Sequence, residues 1–346
     1  MGGDLGPDRS RERRALPAAG GPSRMRFPGR SGGVPLDPRG FPRQTGATLG
    51  SGVKPAVKKK LQLLPNLVTL GNAFCGLLAI STAIDGLAMA ESDPLVFYAK
   101  LERACLLIFV GMFFDALDGF VARLTHGESP YGAQLDSFAD ALTFGVAPAV
   151  LVKILAEHDA AGTAVGHPRL HFLAVAAFTL LAILRLVRYN LEHGGAKQSE
   201  PGWFQGLPSP AAAGVVVSTI WVYLVLRRPE LEMNEGTPTP LHRFLDWIDP
   251  GAFERLLPFI LPLLLIAMPV LGLMMVSNVR YRHTGVWLTA ERSGIQSLVG
   301  CVFGLSLFYL APVPFLFLGF AGFVLHGVAL HLMRRSPAFK PAEAAP

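Results

Sequence analysis

Between Asp115 and Asp140 the chain reads D-A-L-D-G-F-V-A-R-L-T-H-G-E-S-P-Y-G-A-Q-L-D-S-F-A-D. Four carboxylates, Asp115, Asp118, Asp136 and Asp140, stand there within or beside segments otherwise apolar enough to cross a membrane. An ionisable side chain in a bilayer is expensive and marks a functional site by default. On a helix of about 100° per residue, Asp115, Asp118, Gly119 and Ala122 share about a third of the circumference. Gly132, Asp136 and Asp140 recur every fourth residue and stack on one face of the next helix. If the helices meet at a turn between Thr125 and Tyr131, a rise of about 1.5 Å per residue sets the depths. Asp118 and Asp136 then lie about 10 and 8 Å from the turn, and Asp115 and Asp140 about 15 and 14 Å. Two antiparallel helices bring all four acids to matching depth.

Anions that close cannot all stay ionised without counter-charge. Hard divalent cations with oxygen ligands supply it: Mg²⁺, Mn²⁺ or Ca²⁺, and not zinc, since no Cys or His joins the set. Gly119, Ala122 and Gly132 leave room where a larger side chain would fill the space. Arg123 adds a fixed cation whose fork suits phosphate. Acids, metal, arginine and a vacated wall point to phosphoryl-type transfer from a diphosphate donor. Buried carboxylates in a cation transporter are the other reading, and they leave Gly119, Ala122 and Arg123 without a role.

The elements that must hold these residues are membrane helices. Hydrophobic residues make up 51% of the chain and charged ones 16%, and the mean hydropathy is +0.41. Several long apolar runs then decide for an all-α integral membrane protein and against a soluble domain. About eight transmembrane helices are expected, near 66–90, 95–125, 131–156, 169–193, 208–227, 254–278, 294–311 and 313–333. The net charge of +6 comes from basic residues outside the apolar runs. They answer to membrane topology and anionic lipid headgroups, and no nucleic-acid partner is expected. Basic segments at the N-terminus, 184–207, 279–293 and the C-terminus belong on one side if there are eight spans. Both termini and the turn after the second span would then face the cytoplasm. Residues 1–60, rich in Gly, Pro, Arg and Ser, are expected as a disordered basic tail ending in Lys54 and Lys58 to Lys60, and not as a signal peptide. Cys75, Cys105 and Cys301 lie in apolar runs without metal or redox spacing and read as small hydrophobes.

The pattern D-x-x-D-G-x-x-A-R-x8-G-x-x-x-D-x-x-x-D, complete from Asp115 to Asp140, resembles the signature of the CDP-alcohol phosphatidyltransferases. Three further stretches resemble the phosphatidylserine-forming branch of that family. They are P-N-L-V-T-L-G-N-A-F-C-G at Pro65 to Gly76, L-D-S-F-A-D-A-L-T-F-G-V-A-P-A at Leu135 to Ala149, and F-Q-G-L-P-S-P-A-A-A at Phe204 to Ala213. Ser137 and Ala141 replace the Pro and Lys typical of relatives that make phosphatidylglycerol phosphate. The resemblance implies a family-type helical core followed by two C-terminal spans. Residues 61–230 would be the catalytic core, 231–336 further helices and 337–346 a short tail.

It also implies a reaction. CDP-diacylglycerol and L-serine would be the substrates, with another acceptor (glycerol phosphate, inositol phosphate or choline) as the alternative. Asp115, Asp118 and Asp136 would hold Mg²⁺ or Mn²⁺, and Asp140 would act as general base while touching the metal. Arg123 would steady a phosphate, and Gly119, Ala122 and Gly132 would admit the nucleotide. Asn66 and Thr69 match a P-N-x-x-T element near the nucleotide, although Asn66 could equally cap the first helix after Pro65. Arg185 and Arg188, three apart at the end of the fourth span, either snorkel toward headgroups or hold a phosphate or the carboxylate of serine. By the same resemblance the protein is expected as a homodimer in a bacterial inner membrane, its active site facing the cytoplasm.

Overall fold

Apolar runs of about 20 residues satisfy their backbone only as helices inside a bilayer. A computed structural model describes residues 55–125, 130–159, 167–193, 203–227, 252–282 and 294–335. In chain order these form α1 (Pro55–Leu87), α2 (Pro94–Thr125), α3 (Pro130–Asp140), a π-helical stretch (Ala141–Val146) that runs on into α4 (Ala147–Asp159), and α5 (Pro168–His193). There follow β1 (Trp203–Gln205), α6 (Ser209–Arg227), α7 (Ala252–Val276), β2 (Arg280–Arg282), α8 (Gly294–Leu310) and α9 (Pro312–Arg335). Several helices open on proline, whose missing N–H costs nothing at a first turn.

Among the described residues, seven helices are long and apolar enough to cross a membrane, with α3, the π-helical stretch and α4 counting as one span. The helical class and nearly every span boundary match the sequence reading, with two corrections. The expected span at 294–311 is α8, an apolar helix of 17 residues, at the short end of what crosses a bilayer. The first helix begins at Pro55 and runs through Pro65, so residues 55–60 of the expected tail are helical and Asn66 caps no helix end. Finally, β1 and β2 form a small antiparallel ribbon pairing Trp203 with Arg282 and Gln205 with Arg280. The remaining tail residues, 1–54 and 336–346, and the turn at 126–129 lie outside the described residues.

The core is built from small side chains that let helices approach closely, as bilayer packing favours. Ala79 and Ala83 of α1 meet the side of α2 that carries Leu101, Ala104, Cys105 and Ile108, all buried. α6 is the most enclosed span, with Ala212, Ala213, Val216, Val217 and Ile220 fully buried. α1 packs along α2 and also against α3 and the π-helical stretch, so it braces both acid-bearing helices. At the opposite end of the bundle, Asp159 ties three elements together. It accepts hydrogen bonds from Tyr98 Oη of α2 at 2.8 Å and Tyr223 Oη of α6 at 2.7 Å.

Candidate active site

Three of the four acids converge. One carboxylate oxygen each from Asp115, Asp136 and Asp140 lies within 4.8 Å of the others. Asp115 comes from α2, while Asp136 and Asp140 sit one turn apart on α3. Asp118, one turn further along α2, is buried. The Thr69 hydroxyl of α1 stands between the Asp118 carboxylate and the Pro65 carbonyl oxygen, the latter at 3.1 Å. Asp118 is also close enough to act electrostatically on Asp115 and Asp136. All four acids and Thr69 therefore belong to one region between α1, α2 and α3.

Asp140 ends the regular part of its helix. Immediately after it the chain takes the wider π spacing, with Ala147 N–H donating to Leu142 O, five residues back. Pro148, which has no N–H to give, and Gly145 sit in this segment. Thr179 Oγ1 of α5 lies 3.2 Å from the Gly145 carbonyl and gives it a partner from outside the helix. Thr143, fully buried within the stretch, donates from Oγ1 to the Asn72 carbonyl of α1 at 3.0 Å. It fits only because its neighbours are glycines. A Cβ on Gly76 would stand 2.5 Å from Thr143 Oγ1, and one on Gly111 would stand 2.7 Å from Thr143 Cγ2. Above this contact, Asn72 Nδ2 donates to Asp140 Oδ1 at 3.2 Å.

The remaining sequence candidates divide. Gly119 is exposed, and no atom would come within 4 Å of a Cβ placed there, so α2 leaves open space beside Asp118. Gly132 lies one turn before Asp136 on α3, and Asn66 lies partly exposed, one turn before Thr69 on α1. The side chains of Ala122 and Arg123 lie outside the described residues. Arg185 and Arg188 do different work. Arg185 is largely withdrawn from solvent; a terminal guanidinium nitrogen donates to Ser209 Oγ, its Nε has no hydrogen-bond partner, and its charge acts on Asp115 and Asp140. Arg188 instead donates to the Val276 carbonyl at 2.9 Å and to Asn278 Oδ1 at 3.1 Å, which satisfies the C-terminal end of α7.

Ser209 follows a tight loop. Gly206 has φ of +81°, a conformation that suits glycine. Its N–H donates to Val279 O at 2.8 Å, and Leu207 N–H donates to Met274 O at 3.1 Å. The loop that presents Ser209 to Arg185 is thus fastened to the end of α7. Sequence reasoning did not assign Asn72, Thr143 or Ser209. Asn72 could have been found, because it stands three residues after Thr69 on the same helical face of an apolar span. Thr143 and Ser209 carried no comparable signal.

A sequence profile of the CDP-alcohol phosphatidyltransferase family matches residues 62–249, more than half of the chain. The chain belongs to the CDP-alcohol phosphatidyltransferase family. Every described site residue falls inside the matched segment. The CDP-diacylglycerol–serine O-phosphatidyltransferase of Bacillus subtilis is 34% identical over 163 residues, 47% of this chain and 78% of the relative. The protein of the same name from Helicobacter pylori is 28% identical over 271 residues, 78% of this chain and 90% of the relative. An archaetidylserine synthase of Methanothermobacter thermautotrophicus is 36% identical over 164 residues, 46% and 58% of the two chains. For a CDP-alcohol phosphatidyltransferase the donor set is chemically apt. Three convergent carboxylates offer only oxygen ligands, which fit a hard divalent cation.

Proposed function

We propose that this protein transfers the phosphatidyl group of CDP-diacylglycerol to the hydroxyl of L-serine, forming phosphatidylserine and CMP. The observation that carries this reading is the meeting of Asp115, Asp136 and Asp140 near the half-buried Arg185. The names of the relatives support serine as the acceptor. Asp115, Asp136 and Asp140 would hold Mg²⁺ or Mn²⁺, with Asp118, hydrogen-bonded by Thr69, as the fourth acid. When bound, the cation neutralises charge on the diphosphate.

The protein's own groups then handle the alcohol. The serine oxygen forms a bond to the phosphatidyl phosphorus, and the bond from that phosphorus to the oxygen bridging it to CMP breaks. Asp140 takes the proton of the hydroxyl, which is a weak nucleophile without such a base. Arg185 holds the serine carboxylate; its guanidinium, already braced by Ser209, keeps one N–H unused. The open wall at Gly119 admits the nucleotide, and Arg123 steadies a phosphate. Basic segments flanking the spans favour a site opening to the cytoplasm of a bacterial inner membrane, and the habit of the family favours a homodimer.

The test is release of CMP by the purified protein from labelled CDP-diacylglycerol against a panel of serine, glycerol phosphate, inositol phosphate and choline. Release with serine alone, and serine in the lipid product, is expected. Release with another alcohol instead would overturn the choice of acceptor. Cation flux in liposomes without CMP release would overturn the enzyme.

A further inference from the structure

Asn72 is a fully buried amide in the middle of an apolar span, and nothing in the transfer reaction as written above uses it. Its position is heavily determined. Its carbonyl oxygen accepts the Thr143 hydroxyl at 3.0 Å, and its side-chain Nδ2 donates to Asp140 Oδ1 at 3.2 Å. Its Oδ1 is buried and has no hydrogen-bond partner; a Cβ on Gly111 of α2 would stand 3.1 Å from it. An orphaned buried amide oxygen is costly, because it forfeits the hydrogen bonds it would make to water. A purely structural asparagine has no reason to accept that when an apolar side chain could fill the same space. The arrangement makes sense if the donor half of the amide is what the site needs.

Asp140 stands where its helix changes spacing, so its direction is not guaranteed by regular helical packing. Both ends of the problem are met from α1. Thr143, clamped between Gly76 and Gly111, ties the π-helical stretch to the Asn72 backbone. The Asn72 amide then holds one oxygen of the carboxylate. A carboxylate with one oxygen tethered has little freedom left to turn the other, and Asp140 keeps a carboxylate oxygen within 4.8 Å of those of Asp115 and Asp136.

We propose that Asn72 is a positioning residue that fixes the Asp140 carboxylate so that its second oxygen faces the acceptor hydroxyl, with Thr143 and the two glycines setting Asn72 itself. This rests on the reading of Asp140 as general base. The chemistry of the step is unchanged: the proton leaves the alcohol for Asp140, and Asn72 exchanges none.

The experiment uses full-length Asn72→Ala in detergent–lipid micelles, measuring kcat, the KM for serine, the Kd for CDP-diacylglycerol and the thermal midpoint, with Asp140→Asn in parallel. The expected result is a fall in kcat of about 10- to 100-fold, less than the roughly 100- to 10,000-fold of removing an acid–base group outright, while the Kd for CDP-diacylglycerol stays within threefold. Thr143→Val, which keeps the shape and loses the hydroxyl, should show the same split more weakly. If Asn72→Ala proves too unstable to purify, Asn72→Ser gives the same reading. In the double variant with Asp140→Asn, the Asn72 change should cost nothing further, since its effect passes through Asp140. Full activity in Asn72→Ala beside an inactive Asp140→Asn would overturn the positioning role alone. Loss of CDP-diacylglycerol binding and of thermal midpoint in step with kcat would make Asn72 structural and overturn it too. Full activity in Asp140→Asn would instead remove the base assignment on which the proposal rests.

Discussion

Gly206→Ala tests whether the α7 end of the bundle reaches the catalytic region. The substitution meets two obstacles. A side chain at φ of +81° carries about 1–2 kcal/mol of backbone strain. Its Cβ would also stand 2.2 Å from Met275 O and 3.3 Å from Ser277 O, and those are backbone atoms at a helix end that cannot swing aside. The loop must lift, which loosens the two hydrogen bonds from Gly206 and Leu207 to α7, each worth about 1 kcal/mol. Together these predict a loss of about 3–4 kcal/mol locally. Ser209, three residues on, is what the Arg185 guanidinium leans on. A loosened charged hydrogen bond of about 1.5–3 kcal/mol corresponds to a 10- to 100-fold rise in the KM for serine, at about 1.4 kcal/mol per tenfold. The assay is a serine titration at saturating CDP-diacylglycerol, with the donor titrated separately. A KM for serine within twofold of wild type, in a protein whose thermal midpoint has fallen, would refute the link from α7 through the loop to Arg185.

Two other perturbations separate the site from its scaffold. Arg185→Ala should raise the KM for serine at least tenfold, whereas Arg188→Ala should lower the thermal midpoint and leave that KM within threefold; serine titrations of both variants that gave the reverse pattern would contradict the division of labour. Asp159→Ala leaves Tyr98 and Tyr223 without the acceptor that joins α2 to α6, for an expected loss of about 2–4 kcal/mol in the denaturation midpoint. Tyr98 and Asp115 are 17 residues apart on one helix, about 26 Å, so kcat measured below the transition should stay within about twofold of wild type.

Much of this site was legible because membrane helices obey few rules. Carboxylates in apolar runs are conspicuous, and fourfold spacing alone placed Asp136 and Asp140 on one face. What spacing could not supply was the third body. The acids of α2 and α3 were expected to face each other as an antiparallel pair, but α1 braces both, and Thr69 and Asn72 of α1 reach Asp118 and Asp140. The π-helical stretch was also invisible, because a reading at 3.6 residues per turn assumes that the period holds past Asp140. Pro148 and the partner supplied by Thr179 break it. Arg185 and Arg188 looked equivalent because sequence places both near one helix end. Only the docking of α7 shows that Arg188 is engaged there, on Val276 and Asn278. Pro65 looked like a helix start for a similar reason, since nothing local reveals that α1 continues on its N-terminal side for ten residues.

The central claim is that Asp115, Asp136 and Asp140 bind a divalent cation as one unit. Titration of Mn²⁺ into the purified protein, followed by loss of the free-ion electron paramagnetic resonance signal, measures this directly. Saturable binding in the wild type, abolished in Asp136→Asn and restored by no other residue, is the predicted result. The same titration curve in wild type and in an Asp115→Asn, Asp136→Asn, Asp140→Asn triple variant would contradict it.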